Sequence, residues 1–252
     1  MNSMNREGIP DFPADHSFPA SAEPDRAVGK HGDTTEIPES WTFKNKSVAD
    51  NFDKHVREQL PWYDMATMMV QHFGRHYLPE HGLMYDLGAS TGNITLALKD
   101  EIERRKVRAI SVDYSEEMRD VWRGLGEFIV SDVRDVQLEE YDFCVCFLLL
   151  MFLPPHDQKI FFGKLLDKLK PGGALIVFDK VETNSGYLGT VMHRLTMAGK
   201  VSTGVPPEEI VKKELSLMGQ QRPLSEHFMK FTGCENHSIF RFGEFAGWVF
   251  IR

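Results

Sequence analysis

The residues with the most chemical character lie in one stretch, Met84-Tyr85-Asp86-Leu87-Gly88-Ala89-Ser90-Thr91-Gly92-Asn93-Ile94-Thr95, where an apolar run gives way to small residues and then to a helical pattern. A strand ending at Leu87 and a helix starting near Thr91 would leave backbone N–H groups exposed at the helix start, where they receive a polar or anionic ligand. Gly88 and Gly92 permit positive φ or close approach of a ligand to the chain. A tight strand-to-helix turn needs glycine even without a ligand, so the loop by itself is weak evidence. Asp113 adds to it. It closes a second apolar run, Val107 to Val112, at the edge where an open α/β sheet binds its ligand, and a carboxylate there accepts from both hydroxyls of a ribose. Ser115 is better placed to cap the following helix, which leaves the Asp113 carboxylate free for that role. Asp132, in Val130-Ser131-Asp132-Val133, follows a third run and is placed to reach an adenine amino group.

The elements that must hold these residues follow from periodicity. Strands are predicted at 83–87, 107–112, 128–130, 143–148 and 174–178, with helices at 91–104, 115–123 and 156–169 between them. Such alternation means parallel strands joined by crossover helices. Phe143 to Leu148 is apolar at every position, as a central strand covered on both faces requires. Lys170-Pro171-Gly172-Gly173 reads as a helix stop and turn. Ahead of the first strand, Ser47 is positioned to cap a helix through Val48, Phe52, Val56 and Leu60, and Pro61 to start a second one toward Tyr77. Met65, Met68, Met69 and Val70 would give that second helix a core face. Two or three helical segments follow Lys180, and strands near 236–242 and 245–251, joined by Gly243-Glu244, read as an antiparallel hairpin.

Composition narrows the function classes. The formal charge is −8 over 252 residues, but residues 1 to 40 hold eight acidic side chains against Arg6, Arg26 and Lys30. The rest is close to neutral and lacks the overall positive field that concentrates nucleic acid. Local basic runs at Arg104-Arg105-Lys106-Val107-Arg108 and Lys212-Lys213 read as solvated helix ends. The first 40 residues carry five of the thirteen prolines and few aromatics, too little to offset the entropy of ordering, so a disordered extension is expected there and a single domain over 41–252. Cys144, Cys146 and Cys234 cannot all pair, and the first two share one strand face. Reduced thiols and a cytoplasmic location are expected. The longest apolar run, Phe143 to Leu153, has 11 residues, short of the roughly 20 that cross a bilayer, and no leader pattern opens the chain. His72, His76 and His81 lack a carboxylate or thiol that would complete a metal site, so no metal is expected.

Together the loop, the two aspartates and the Pro171-Gly172-Gly173 turn resemble the class I methyltransferases that use S-adenosylmethionine (SAM). The flanks narrow this. Trp41-Thr42-Phe43, Val48-Ala49, Leu60-Pro61-Trp62-Tyr63-Asp64, Tyr85-Asp86-Leu87-Gly88, Gly172-Gly173-Ala174-Leu175 and Phe245-Ala246-Gly247-Trp248-Val249 resemble the carboxy-SAM synthase family, which serves wobble-uridine modification in tRNA. The resemblance runs from about Ser40 to Arg252. It implies a Rossmann-like α/β fold with a mixed seven-stranded sheet, an antiparallel C-terminal hairpin and helices on both faces. It also implies a homodimer, and SAM held by Tyr63, Gly88, Asp113, Tyr114, Asp132 and Val133. The loop adds Asp86, Ala89, Ser90 and Gly92 to the cofactor set. Phe147 joins it in place of the family's asparagine, and Glu214 stands where the family has the arginine that reads the extra carboxylate of carboxy-SAM. A carboxylate facing a carboxylate is repulsive.

The reading that follows is a SAM-dependent methyltransferase with an unidentified acceptor, tRNA or another nucleic acid included. His193, where the resembled family also has a histidine, is the one candidate for a general base. Two alternatives stand beside it. One is a carboxy-SAM synthase that moves a carboxyl group from prephenate onto SAM; Glu214 opposes this, with Lys212, Lys213 or Arg222 as substitute cations. The other is a SAM-binding protein without catalysis whose acidic tail meets a partner.

Overall fold

The computed structural model describes residues 37–183, 186–225 and 233–252. The extension expected over residues 1 to 40 lies outside them except for Ile37 to Ser40, of which Ile37 is buried.

Helices α1 (Lys46–Gln59) and α2 (Tyr63–Tyr77) come first. The cap of α1 is Asn45, not Ser47: Asn45 is extended and its side-chain oxygen accepts from the backbone N–H groups of Ser47 and Val48, whereas Ser47 is already inside the first turn. The second helix starts two residues after Pro61, at Tyr63. The expected core face holds only in part: Val70 is buried and Met69 packs half-buried against the core, whereas Met65 and Met68 are exposed and the other buried positions are Tyr63, Ala66, Thr67 and Gly74. Read by the i, i+3, i+4 rule, Ala66, Met69 and Val70 define the inward stripe, and Met65 and Met68 fall outside it.

Strand β1 (Leu83–Leu87) leads into α3 (Asn93–Ala97) and α4 (Lys99–Arg105). One helix was expected here. The break falls at Leu98, which is wholly buried and packs against Gly74 of α2, where a side chain would collide with it. Next come β2 (Arg108–Asp113), α5 (Glu116–Val121), β3 (Glu127–Val130) and β4 (Tyr141–Phe147), then a 3-10 turn at Leu150–Phe152 and α6 (Pro155–Lys168). Ser115 caps α5 by accepting from the Met118 N–H. β5 (Leu169–Glu182) is longer than expected because Pro171-Gly172-Gly173 is an irregular entry into the strand, its register shifting opposite Tyr141 and Phe143. The chain closes with α7 (Gly186–Ser202), α8 (Pro207–Ser216), β6 (Leu224–Ser225), β7 (Glu235–Phe242) and β8 (Phe245–Ile251).

The strand order is β3-β2-β1-β4-β5-β8-β7, with the short β6 added beside β5 as an eighth strand. β1 to β5 run parallel, β8 runs antiparallel to β5, and Gly243-Glu244 turns β7 into β8 as a hairpin. Both faces are covered. Cys144 and Cys146 face α6 with Phe161, Leu165 and Phe250, while Phe143, Val145 and Phe147 of the same strand face α2 with Ala66 and Val70. The order reverses between β1 and β4, so the crevice at their carboxyl ends is where such a sheet places a ligand. Among the described residues no helix is long and apolar enough to cross a membrane.

Candidate functional site

That crevice opens into a cavity of about 380 Å³. One end is made by the loop after β1. Gly88 and Ala89 donate their N–H groups to the Val112 carbonyl at 2.8 and 3.0 Å, which pins the loop to β2. Asp113 then bridges two turns: one carboxylate oxygen accepts from Ser90 N–H at 2.9 Å and the other from Ser115 N–H at 3.0 Å. Gly92 has φ +88°, and a Cβ there would lie 2.5 Å from the Gly124 nitrogen and 2.6 Å from Trp122 Nε1. Its glycine is a packing requirement, and Gly92 does not line the cavity. Gly88, Ala89, Ser90, Asp86, Asp113, Tyr114, Asp132, Val133, Tyr63 and Phe147 all do. The fold therefore brings together ten of the eleven expected cofactor residues around one space.

Burial sets the charge of this end. Asp86 is pushed up to about 7, by burial first and by the Asp113 carboxylate second, and its Oδ2 has no partner. Asp113 is raised by burial against the pull of its backbone donors. Asp132 goes the other way. Arg134 bonds both of its oxygens, at 2.9 and 2.7 Å, and holds the carboxyl below its ordinary range. Tyr63 stands edge-on to Phe147 at 5.2 Å, and Phe147 stacks on Phe178 at 5.1 Å. Above the loop, Asp53 of α1 accepts from Thr91 Oγ1 at 2.5 Å and pairs with Arg123, while Arg57 reaches Asn93. These bonds fasten the helical cover to the loop.

The other end is lined by Trp41, His55, Gln59, Lys180, Lys200, Lys213 and Glu214. Lys200 Nζ sits 2.8 Å from one Glu214 oxygen and Lys180 Nζ 3.7 Å from the other. Burial alone would raise the Glu214 carboxyl, but Lys200 and Lys180 take it below its ordinary value. Glu214 is thus a compensated anion, and the repulsion expected of it is cancelled by two lysines from β5 and α7 that the sequence pattern did not single out. Lys213 is buried over the Trp41 ring and is not a solvated helix end. Lys212 is exposed, and neither it nor Arg222 lines the cavity. His193 also lies outside the lining; its Nδ1 is 3.1 Å from the Glu244 carboxylate on an exposed edge. His72 and His76 stand edge-on to each other at 4.9 Å along α2, and among the described residues no group of three His, Cys, Asp or Glu stands as a metal site.

Of the residues at this second end, Trp41 belongs to a motif the sequence displays, whereas His55, Gln59, Lys180 and Lys200 went unnoticed. The available signal was weak: His55 and Gln59 fall on the same α1 face as Val48, Phe52 and Val56, a polar pair in an apolar stripe.

Comparison with known proteins agrees with this geometry. Residues 84–173 match the family described as a methyltransferase domain. A carboxy-S-adenosyl-L-methionine synthase of Shewanella sp. (strain MR-7) is 30% identical over 204 residues, covering 77% of this chain and 84% of the relative. The enzyme of that name from Staphylococcus epidermidis is 26% identical over 225 residues, covering 85% and 98%. Among solved structures, the plantazolicin methyltransferase BpumL in complex with SAH aligns with a TM-score of 0.58 at 11% identity, covering 82% of this chain and 90% of that one. Human N-acetylserotonin methyltransferase in complex with SAM aligns at 0.52 and 12% identity, covering 83% and 57%. The solved structures establish the fold. On the relatives' identity and coverage, the chain belongs to the carboxy-S-adenosyl-L-methionine synthase family, a SAM-dependent transferase on the class I methyltransferase fold.

Proposed function

We propose that the protein transfers the methyl group of SAM to a small acceptor seated at the lysine-lined end of the cavity. The observation that carries this reading is that one space is lined both by the loop after β1 and by the Lys180, Lys200 and Glu214 group of the chamber end. The loop end fits the cofactor: Asp86 Oδ2 is a buried acceptor with no protein partner, suited to the ammonium of SAM, and Gly88 with φ +74° lets the chain pass close to it. Asp113 is proposed to hold the ribose hydroxyls, Asp132 and Val133 the adenine edge, and Tyr63 with Phe147 to close the apolar wall. Ser90, Ala89 and Tyr114 complete the cradle. SAM supplies an electrophilic methyl on a sulfonium. What the chain contributes is alignment and the exclusion of water by α1 and α2. The Lys180, Lys200 and Glu214 charges that line the cavity suit a small polar acceptor. A cytoplasmic homodimer accords with the buried, reduced thiols of β4 and with the family.

A second reading is favoured by family membership: a carboxyl group moved from a small carboxylate such as prephenate onto SAM. Lys180 and Lys200, by neutralising Glu214, remove the charge objection to it. Incubating the purified protein with SAM and prephenate and weighing the nucleoside product separates the two. Carboxylated SAM would replace methyl transfer with the second reading. Unchanged SAM, together with a methyl group gained by a compound from a small-molecule pool, is the expected result. SAM left unchanged with every donor and acceptor pool, tRNA included, would defeat both.

A further inference from the structure

Three buried polar atoms at the chamber end have no hydrogen-bond partner in the protein: Lys213 Nζ, His55 Nε2 and Gln59 Oε1. Their side chains all line the cavity, and the residues are 7%, 5% and 6% exposed. Buried polar groups are almost always satisfied, so three orphans around one space imply an absent partner. They form one cluster, since Lys213 lies over the Trp41 ring and Trp41 stacks on His55 at 5.3 Å.

The charged groups around Lys213 explain its state. From α7 comes Lys200, from β5 Lys180, from α1 His55, and from α8 Glu209 and Glu214. Glu214 is committed to Lys200 and Lys180, and Glu209 accepts from Gln59 Nε2 at 3.5 Å. Burial first, and the Lys200 charge second, push the Lys213 ammonium down to about 5 against the attraction of Glu214 and Glu209. His55 is lowered to about 3 by burial and by Lys213 and Lys200. Lys213 thus sits as an uncharged amine against the Trp41 face, among the side chains that line the cavity. An anion placed against it would restore its charge.

We propose that the chamber receives a small molecule bearing an acidic O–H or N–H, and that Lys213 takes up that proton as the molecule seats, with Gln59 and His55 orienting it. This rests on the reading of the chamber as the second-ligand site. The ligand's X–H bond breaks, its electron pair stays on X, and the proton forms the third N–H bond of Lys213. In methyl transfer that pair bonds to the methyl carbon as the carbon–sulfur pair returns to sulfur, and Lys213 releases its proton to solvent.

Two measurements on the full protein test this. The first is limited reductive methylation with formaldehyde and cyanoborohydride at about pH 6.5, where an ordinary lysine is almost wholly protonated. Peptide mass mapping should find Lys213 modified at least ~10-fold faster than the exposed Lys46 and Lys99. An equal or slower rate, whether from charge or from closure, overturns the proposal. The second adds 4-nitrophenol at about pH 6, below its own ionisation, to protein saturated with S-adenosylhomocysteine. The nitrophenolate band should grow in the wild type and be absent in Lys213→Met and Lys213→Gln variants that still bind S-adenosylhomocysteine. Fast labelling without that band overturns the ligand role. Failure of the wild type to bind S-adenosylhomocysteine would instead strike the SAM reading itself, so the two failures are distinct.

Discussion

The two ends of the cavity are built by different means. At the loop end the polar groups are backbone amides and carboxylates from the carboxyl edge of three adjacent strands, between Asp86 and Val133, and Tyr63 and Phe147 add an apolar wall. At the chamber end, Trp41, His55, Lys180, Lys200, Lys213 and Glu214 come from five separate parts of the chain, spread over residues 41 to 214, and act through side chains, with Lys180, Lys200 and Glu214 as the charged group. The first arrangement is fixed by local turn geometry and tolerates little change. The second is a charge balance, which can be reset by exchanging one residue for another. The loop end should therefore fail through backbone collision and the chamber end through loss of compensation.

Gly92→Ala gives the largest expected effect. The added Cβ meets the Gly124 backbone and the Trp122 indole at a positive φ, and the strain plus displacement should cost about 3 kcal/mol. A thermal melt should drop by several degrees and SAM binding by isothermal titration should vanish. Unchanged binding would mean that the loop adapts, contrary to the contrast drawn above. Asp113→Ala comes next. It removes the acceptor for Ser90 and Ser115 as well as the proposed ribose contact, so SAM affinity should fall roughly 10- to 100-fold, the range of a charged hydrogen bond. An affinity within twofold of wild type would remove Asp113 from the cofactor set.

Asp86 gives a pH signature. Its carboxyl sits at about 7 in the folded protein, above the ~3.9 of an unfolded chain. The empty protein thus gains from this group fully below about pH 4 and loses that gain as pH rises through 7. Cofactor affinity should run the opposite way, weakening up to tenfold per pH unit below about 7, because the proposed ammonium contact needs the carboxylate. Calorimetry of wild type against Asp86→Asn checks both trends. A pH slope for SAM binding that survives in the variant would place its origin elsewhere. The chamber end answers with a smaller effect. Glu214→Gln leaves Lys200 buried beside an amide, which should cost about 1–3 kcal/mol of stability while SAM affinity stays within about twofold, because no loop contact is touched. A large loss of SAM affinity would join the two ends that the comparison separates.

The contrast also explains what could be read from the sequence. The strand-turn-helix at Asp86 to Thr95 and the aspartates closing two strands are local signals, so the parallel sheet, its C-terminal hairpin and most of the residues that line the loop end of the cavity were legible. Boundaries failed where a distant contact decided them. Leu98 breaks a helix because α2 approaches at Gly74, and Met65 and Met68 face solvent because Ala66 and Val70 define the packed stripe. The lysines failed for the same reason. A Lys-Lys pair on a helix reads as surface, and only the arrival of Trp41, α1 and α7 makes Lys213 a buried amine and Lys200 the partner of Glu214.

The smallest expected effect marks the edge of the loop end. Of the three carboxylates Asp86, Asp113 and Asp132, the last is tied up by a protein side chain, with Arg134 on both oxygens and also on Asp157. Those pairs are partly exposed, and an exposed ion pair contributes about 0–1 kcal/mol, so Asp132→Asn should leave the melting temperature nearly unchanged. An asparagine keeps one oxygen for the adenine amino group and loses only the charge, so SAM affinity should fall by about threefold or less. Asp132→Ala, which removes the acceptor as well, should weaken binding further, and the gap between the two variants measures the adenine contact alone. If both bind SAM as the wild type does, Asp132 serves only to hold Arg134 and Asp157 together, and adenine recognition passes to the backbone at Val133.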